Sequence, residues 1–314
     1  MTPGPTPGRL VAVGPANAAV GPASAGVGLA GGGRPAGGGV TGGDGEAVVL
    51  RRFPAVDARD RLVLLHGLGS GSRVWEPFVA HRPAGTDVWL ADLPWRGGYE
   101  LGWAYGGDPA AWVGRALAGV RGGAGVVVAH SFASVLLLEL LAREAAAGAD
   151  PVRRYGIRGL VLVAPFYRRR AEQFTWAAFA HYLDNFERIM EDGLRAVGGG
   201  RTGADVRRLM AARVCERVGP YGWLRFVEAY LRTPWLRTDL VDVPALAVCG
   251  RDDFAAVPAE AEALAADLPD AVAHLLPGCG HFLMAERPDR FAALVGDFLG
   301  RLAAVTGSPL ERVP

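Results

Sequence analysis

The sequence predicts an α/β fold: a mostly parallel central sheet with helices on both faces and an inserted helical segment. Three observations carry this. Short continuous apolar runs recur along the chain, as in strands buried on both faces. Stretches with helical spacing separate them, which makes parallel crossover units. The rhythm then breaks once, over 166–241, where no strand-like run occurs and helical spacing takes over.

Composition sets the bounds. A chain of 314 residues, 50% of them hydrophobic, can bury a sizeable core in one large or two small domains. Its net charge of +1 argues against a nucleic-acid or membrane-surface role resting on bulk electrostatics. Every basic residue is arginine, as expected of a GC-rich genome, so a cluster such as Arg168-Arg169-Arg170 carries little weight. Cys215, Cys249 and Cys279 are odd in number and widely spaced. They indicate a reducing compartment without a disulfide framework or a metal knuckle. No apolar run approaches the ~18 residues of a membrane span. The stretch from Met1 to Ala30 is broken by Pro3, Pro5, Pro7, Pro15 and Pro22 and has no compact hydrophobic region after a basic one. No signal peptide is expected, and the expected location is cytoplasmic.

Residues 1–45 are rich in Gly, Ala and Pro and cannot bury enough to offset their ordering entropy, so a disordered tail is expected. From Glu46 a first strand or hairpin arm begins. Arg61 to Leu65 is a buried strand stopped by His66-Gly67, with a glycine-rich loop to Ser70 and a helix opening over Ser72–Val79. The strand Asp87–Pro94 leads into a long loop with Trp95, Tyr99, Trp103 and Tyr105, then a helix from Pro109 to Gly119. Val126, Val127 and Val128 form the next strand; a sharp turn carries Ser131, and strong helix formers fill Val135–Ala147. Gly159–Pro165 is another buried strand. Phe174–Arg195, Asp205–Val218 and Tyr221–Arg232 are helical, separated by Gly198-Gly-Gly200 and Gly219-Pro220. The sheet resumes with Pro244–Gly250, a helix over Pro258–Asp267, the strand Ala271–Leu276 and a closing helix over Asp289–Ala304.

The spacing Ala129-His130-Ser131-Phe132-Ala133 is small-X-Ser-X-small, directly after a buried strand and before a helix. A serine lifted clear of a sheet on a strained turn needs small neighbours two residues away, so that strand and helix can approach. Against this stands the commoner role of such a serine as a helix N-cap. A nucleophilic hydroxyl also needs a base, an acid to orient the base, and oxyanion donors. Candidates lie on loops at the C-terminal ends of buried strands, where α/β sheets place their sites. His281 sits in Gly278-Cys-Gly-His-Phe282 and Asp253 in Gly250-Arg-Asp-Asp-Phe254. The order Ser, Asp, His is one of the known triad orders.

With His66-Gly67-Leu68-Gly69, the Ser131 turn, Gly250-x-x-Asp253, and Gly280-His281-Phe282 followed by Glu286-Arg287-Pro288, the chain resembles the α/β-hydrolase-fold superfamily, in its cap-bearing serine hydrolase type. The resemblance covers about residues 46–304 and departs from the family in having alanine for both turn glycines. It implies a core over 46–165 and 242–304, a helical cap over 166–241 and a C-terminal tail over 305–314. It also implies Ser131 as nucleophile, Asp253 as orienting acid, His281 as base, and the N–H groups of Leu68 and Phe132 as oxyanion donors. Asp252 competes with Asp253, and the Gly-x-x-Asp spacing favours Asp253. His130 is expected to pack beneath the sheet, Asp92 to tie down a loop, and Cys279 to be an inert buried thiol. Glu139 is expected to be an ordinary helix residue. Candidates for pocket lining are His66, Trp95, Trp103, Trp176 and His181, with Tyr182 beside them, although aromatic residues at helical spacing are more often core.

The implied activity is serine-dependent hydrolysis of a carboxylic ester or thioester through an acyl-enzyme. The substrate would be a small apolar molecule, a carrier-bound acyl thioester among the options, with no cofactor, metal, nucleic acid or membrane. Two alternatives stand beside it. Members of this fold also perform eliminations and carbon–carbon cleavage as tailoring steps of natural-product biosynthesis, and others are ligand receptors without catalysis. An epoxide hydrolase or dehalogenase would need a carboxylate where Ser131 stands.

Overall fold

A computed structural model describes residues 9–13, 48–96, 102–198 and 201–306. Eight strands form one sheet: β1 (Arg9–Val13), β2 (Val48–Phe53), β3 (Asp60–Leu65), β4 (Thr86–Asp92), β5 (Gly125–His130), β6 (Ile157–Val163), β7 (Ala245–Gly250) and β8 (Ala271–Leu276). Their order is β1-β2-β4-β3-β5-β6-β7-β8; the β1–β2 and β2–β4 pairs are antiparallel and the rest parallel. The central strands carry continuous apolar runs because both of their faces are covered. Leu62 to Leu65, Val126 to Ala129 and Leu160 to Val163 are fully buried. In register, Leu65 pairs with Ala129, His130 with Val163 and Gly250 with Leu276. The loops that follow β3, β5, β7 and β8 therefore leave along one edge of the sheet, the edge where parallel sheets build sites.

The covering helices are α1 (Glu76–His81), α2 (Gly102–Tyr105), α3 (Pro109–Ala118), α4 (Phe132–Ala146), α5 (Pro151–Tyr155), α6 (Trp176–Gly198), α7 (Ala204–Leu231), α8 (Pro258–Asp267), α9 (Leu283–Glu286) and α10 (Pro288–Thr306). Local chemistry sets several starts. Asp108 caps α3, accepting from the Ala110 N–H at 2.9 Å, and Pro109 occupies its first turn. Pro258 opens α8 in the same way. α1 packs against α10 and α3 against α4, while α8 lies on β7 and β8. α6 and α7 stand between β6 and β7 in sequence and pack on each other. α7 is two helices meeting at Gly219, whose φ of 62° no helix interior allows, with Pro220 behind it. No helix among the described residues is long and apolar enough to cross a membrane.

Two expectations change. The tail expected to be disordered over 1–45 contains β1, which pairs antiparallel with β2. β2 would otherwise present an open edge. The rest of that tail, Tyr99, Gly199, Gly200 and residues 307–314 lie outside the described residues. Within the loop expected to run from Pro94 to Asp108, residues 102–105 form α2, which packs against α7.

Candidate active site

β5 runs fully buried through Ala129, and the chain must then turn abruptly to start α4 at Phe132. Ser131 makes that turn with φ 57° and ψ −123°, a conformation L-residues rarely adopt and one that costs ~1–3 kcal/mol. Hydrogen bonds hold it there. The Ser131 N–H donates to the Val163 carbonyl at 2.8 Å, and the Ser134 N–H to the Ser131 carbonyl at 2.9 Å. The Ser134 hydroxyl reaches the Ala129 carbonyl at 2.6 Å. Ala129 and Ala133 are fully buried, so their smallness is used. So is that of Gly67 in the loop after β3, where a Cβ would lie 2.9 Å from the Ser131 Cβ.

Two further loops bring partners to the serine. His281 Nε2 lies 3.1 Å from Ser131 Oγ, and His281 Nδ1 lies 2.8 Å from Asp253 Oδ2. The other carboxylate oxygen, Asp253 Oδ1, accepts the N–H groups of Ala255 at 2.8 Å and Ala256 at 3.0 Å. A carboxylate accepts only, so the Nδ1 proton points at Asp253 and Nε2 is left to accept from the Ser131 hydroxyl. Serine, histidine and aspartate are 6%, 5% and 4% exposed, whereas Asp252 faces solvent.

The loop after β3 is tied to the loop after β4. His66 donates from Nδ1 to the Gly67 carbonyl at 3.0 Å and accepts the Leu93 N–H at Nε2 at 2.9 Å. Burial pushes its imidazole down to about 4, which suits a neutral ring with one donor and one acceptor. The Trp95 indole donates to the His66 carbonyl at 3.0 Å, and the Gly69 N–H donates to the Trp95 carbonyl at 2.8 Å. Asp92 ties the same loop down, accepting the Ser72 N–H at 3.0 Å. The N–H groups of Leu68 and Phe132 have no acceptor among the described residues, and both residues flank the serine.

Above the serine lies a narrow cavity of about 30 Å³. Leu68, Phe166 and Phe282 form its core side, Tyr182, Phe186, Ile189 and Met190 come from α6, and Trp223 and Phe226 from α7. Among the described residues no carboxylate or guanidinium lines it, and its polar lining comes from Ser131, His130 and His281.

Of the six residues named as candidates for the pocket wall, Tyr182 lines the cavity and the other five do not. His66 is fully buried and committed to the loop bonds above. Trp95 is fully buried and packs edge-on against Phe132 at 5.3 Å and Trp103 at 5.9 Å, so both tryptophans lie behind the site. Trp176 is 87% exposed on the outside of α6. His181 is bonded to the Phe254 carbonyl at 2.9 Å. Conversely His130, expected beneath the sheet, lines the cavity and bonds to the His281 backbone carbonyl at 3.0 Å. The walls that sequence reasoning missed carry a usable signal: Phe186 and Ile189 recur with Tyr182 at i, i+4 and i+7, one face of α6.

A parallel sheet covered by helices, with a hydrogen-bonded Ser–His–Asp set at its loop edge, defines a hydrolase of the α/β class. The chain belongs to the alpha/beta hydrolase family, whose profile matches residues 62–294, and at family level it is an ester-cleaving enzyme. It is 30% identical over 258 residues to the pimeloyl-[acyl-carrier protein] methyl ester esterase of Aromatoleum aromaticum, covering 76% of this chain and 98% of that protein. Among solved structures it resembles a bacterial membrane phospholipase A (TM-score 0.62, 16% identity, 82% of this chain and 83% of that chain). An esterase from Rhodococcus sp. ECU1013 is also similar (TM-score 0.52, 23% identity, 82% and 95%). Both likenesses concern the fold.

Proposed function

We propose that the protein hydrolyses an uncharged carboxylic ester through an acyl-enzyme on Ser131. The observation that carries this reading is the hydrogen-bonded run from Ser131 through His281 to Asp253, at the floor of a cavity with no charged side chain in its wall among the described residues. Ser131 Oγ attacks the carbonyl carbon while its proton passes to His281 Nε2. Asp253 keeps the imidazole oriented and stabilises its charged form. The oxygen of the tetrahedral intermediate accepts from the Leu68 and Phe132 N–H groups. Collapse breaks the ester bond, and the leaving alkoxide takes the proton from His281. Water then repeats the sequence on the acyl-serine and releases the acid.

The aromatic and aliphatic walls supplied by α6 and α7, which act as the cap, favour an apolar acyl or alkyl group. A free carboxylate next to the scissile bond would be desolvated there without a partner. The relative from Aromatoleum is named for a methyl ester of a carrier-bound acyl group, so neutral methyl esters, free and carrier-bound, are the first substrates to try. The test is intact mass after a fluorophosphonate probe, with kcat/KM on neutral p-nitrophenyl esters. One adduct on the wild type, none on Ser131→Ala, and a loss on the order of 10⁴-fold in turnover are expected. Near-wild-type turnover in Ser131→Ala would sink the covalent mechanism.

A further inference from the structure

The base loop, residues 277–282, has little regular structure to hold it, yet His281 must keep its ring on Ser131. Glu286 takes care of the amides on either side, accepting the Gly280 N–H at 2.9 Å and the Phe282 N–H at 3.1 Å. The carbonyl of His281 itself is bonded by His130 Nε2 at 3.0 Å. A carbonyl can only accept, so Nε2 carries the proton of the His130 ring.

We infer that His130 is a positioning residue for the reaction, holding His281 in register with Ser131 by donating a hydrogen bond to the His281 backbone. The inference rests on the acyl-enzyme reading above. Three features of the site lead to it. His130 is the chain neighbour of Ser131, so two adjacent residues of one turn grip the same histidine, one by its ring and one by its backbone. The other ring nitrogen, His130 Nδ1, is buried without a donor among the described residues and faces the position a Cβ on Gly67 would take, at 3.0 Å. A buried acceptor left unpaired costs stability, which an aliphatic side chain would avoid. What imidazole alone provides at this place is the Nε2 donor. Finally, burial first and the facing His281 second hold the His130 ring well below the usual histidine range, so it stays neutral. With the two ring centroids 4.8 Å apart, a neutral His130 adds no positive charge beside His281 when that ring takes the serine proton.

The test compares His130→Gln, which keeps a side-chain N–H donor, with His130→Met, of similar length and without one. His130→Leu replaces the second variant if that protein does not fold. The readouts are the rate of fluorophosphonate labelling of Ser131, and kcat and KM on a neutral ester. His130→Met should lose about 10- to 100-fold in labelling rate and in kcat with KM within about threefold, while His130→Gln stays within about fivefold of wild type. Wild-type rates in both variants, or equal losses in both, would overturn the inference. A wild type that takes no label would overturn the nucleophile reading and the inference with it.

Discussion

Gly250 ends β7, three residues before Asp253, and its role is one of space. Its φ is ordinary, but a Cβ there would lie 2.7 Å from the carbonyl carbon of Cys279 and nearer still to the carbonyl oxygens of Cys279 and Gly280. Real Cβ atoms hardly ever come within 3.0 Å of another heavy atom, and every obstacle is backbone, so no side chain can swing aside. Gly250→Ala must therefore drive the loop that carries His281 away from the strand that leads to Asp253. Restoring ordinary contact takes a shift on the order of 1 Å. A misplacement of that size between reacting groups costs about 10²-fold, or ~2.7 kcal/mol of transition-state stabilisation. Overpacking of this kind also costs about 1–3 kcal/mol of stability. Steady-state hydrolysis of a neutral p-nitrophenyl ester and a thermal melt followed by circular dichroism measure the two effects. Gly300→Ala in α10 is the matched control, because nothing lies within 4 Å of its Cβ position. It should gain about 0.5–1 kcal/mol of stability with unchanged activity. A Gly250→Ala enzyme whose kcat/KM stays within threefold of wild type would refute the argument that this contact sets the loop spacing.

Burial lifts the Glu260 carboxyl from 4.5 to about 7, against the opposing hydrogen bonds of Tyr230, the Tyr167 N–H and Arg168. Folding thus takes up a proton between those values: the contribution of Glu260 is full below pH 4.5 and is lost as pH rises through 7, a swing on the order of 3 kcal/mol. Glu260→Gln should flatten the difference in stability between pH 5 and pH 8, read from urea midpoints; an unchanged slope would show that other groups govern it. At the cavity, Trp223→Ala should lower kcat/KM for an apolar ester by at least about tenfold through lost contact area. Trp176→Ser, at a position 87% exposed, should leave kcat/KM unaltered, and a matching loss there would mean that the outer face of α6 touches substrate.

The parts of the fold legible in the sequence are those set by burial on both faces or by a local signal. Val126 to Ala129 and Leu160 to Val163 are continuous apolar runs because sheet and helices bury them completely. The bounds of α8 and β8 follow from Pro258 at a helix start and from the turn between the two elements. Ser131, Asp253 and His281 could be named because each sits just beyond a strand end, in a loop whose glycines have a spatial purpose. Apart from Tyr182, the pocket walls could not. Which face of α6 looks toward Ser131 depends on how that helix is rolled about its axis, and contacts with α7 and Phe282 decide the roll. Trp176 and His181 are aromatic or polar enough to suggest a site, yet they fall on other faces of the same helix. Trp95 and Trp103 follow a strand end, as site residues do, but their rings fill the space behind Phe132. β1 was hidden for a different reason: its pairing with β2 spans a long stretch of sequence, and no local pattern records it.

An apolar wall is a weak way to set the roll of a helix, because hydrophobic contact is non-directional. Hydrogen bonds supply the direction here. Tyr182 gives its ring to the cavity and its hydroxyl to a buried cluster, 3.0 Å from the Tyr230 hydroxyl on α7. Tyr230 donates to Glu260 on α8, and Arg168 Nε reaches the Tyr230 hydroxyl at 2.8 Å and Glu260 at 3.3 Å. Arg168 stands where the chain leaves β6 for α6, and its N–H bonds to Thr233 Oγ1 at 3.1 Å, where the chain comes back from α7. The cluster therefore ties both ends of the helical insertion to the core, and through Tyr182 it reaches the cavity. With α6 anchored at Tyr182, Phe186 and Ile189 follow one and two turns along the same face and meet the space above Ser131.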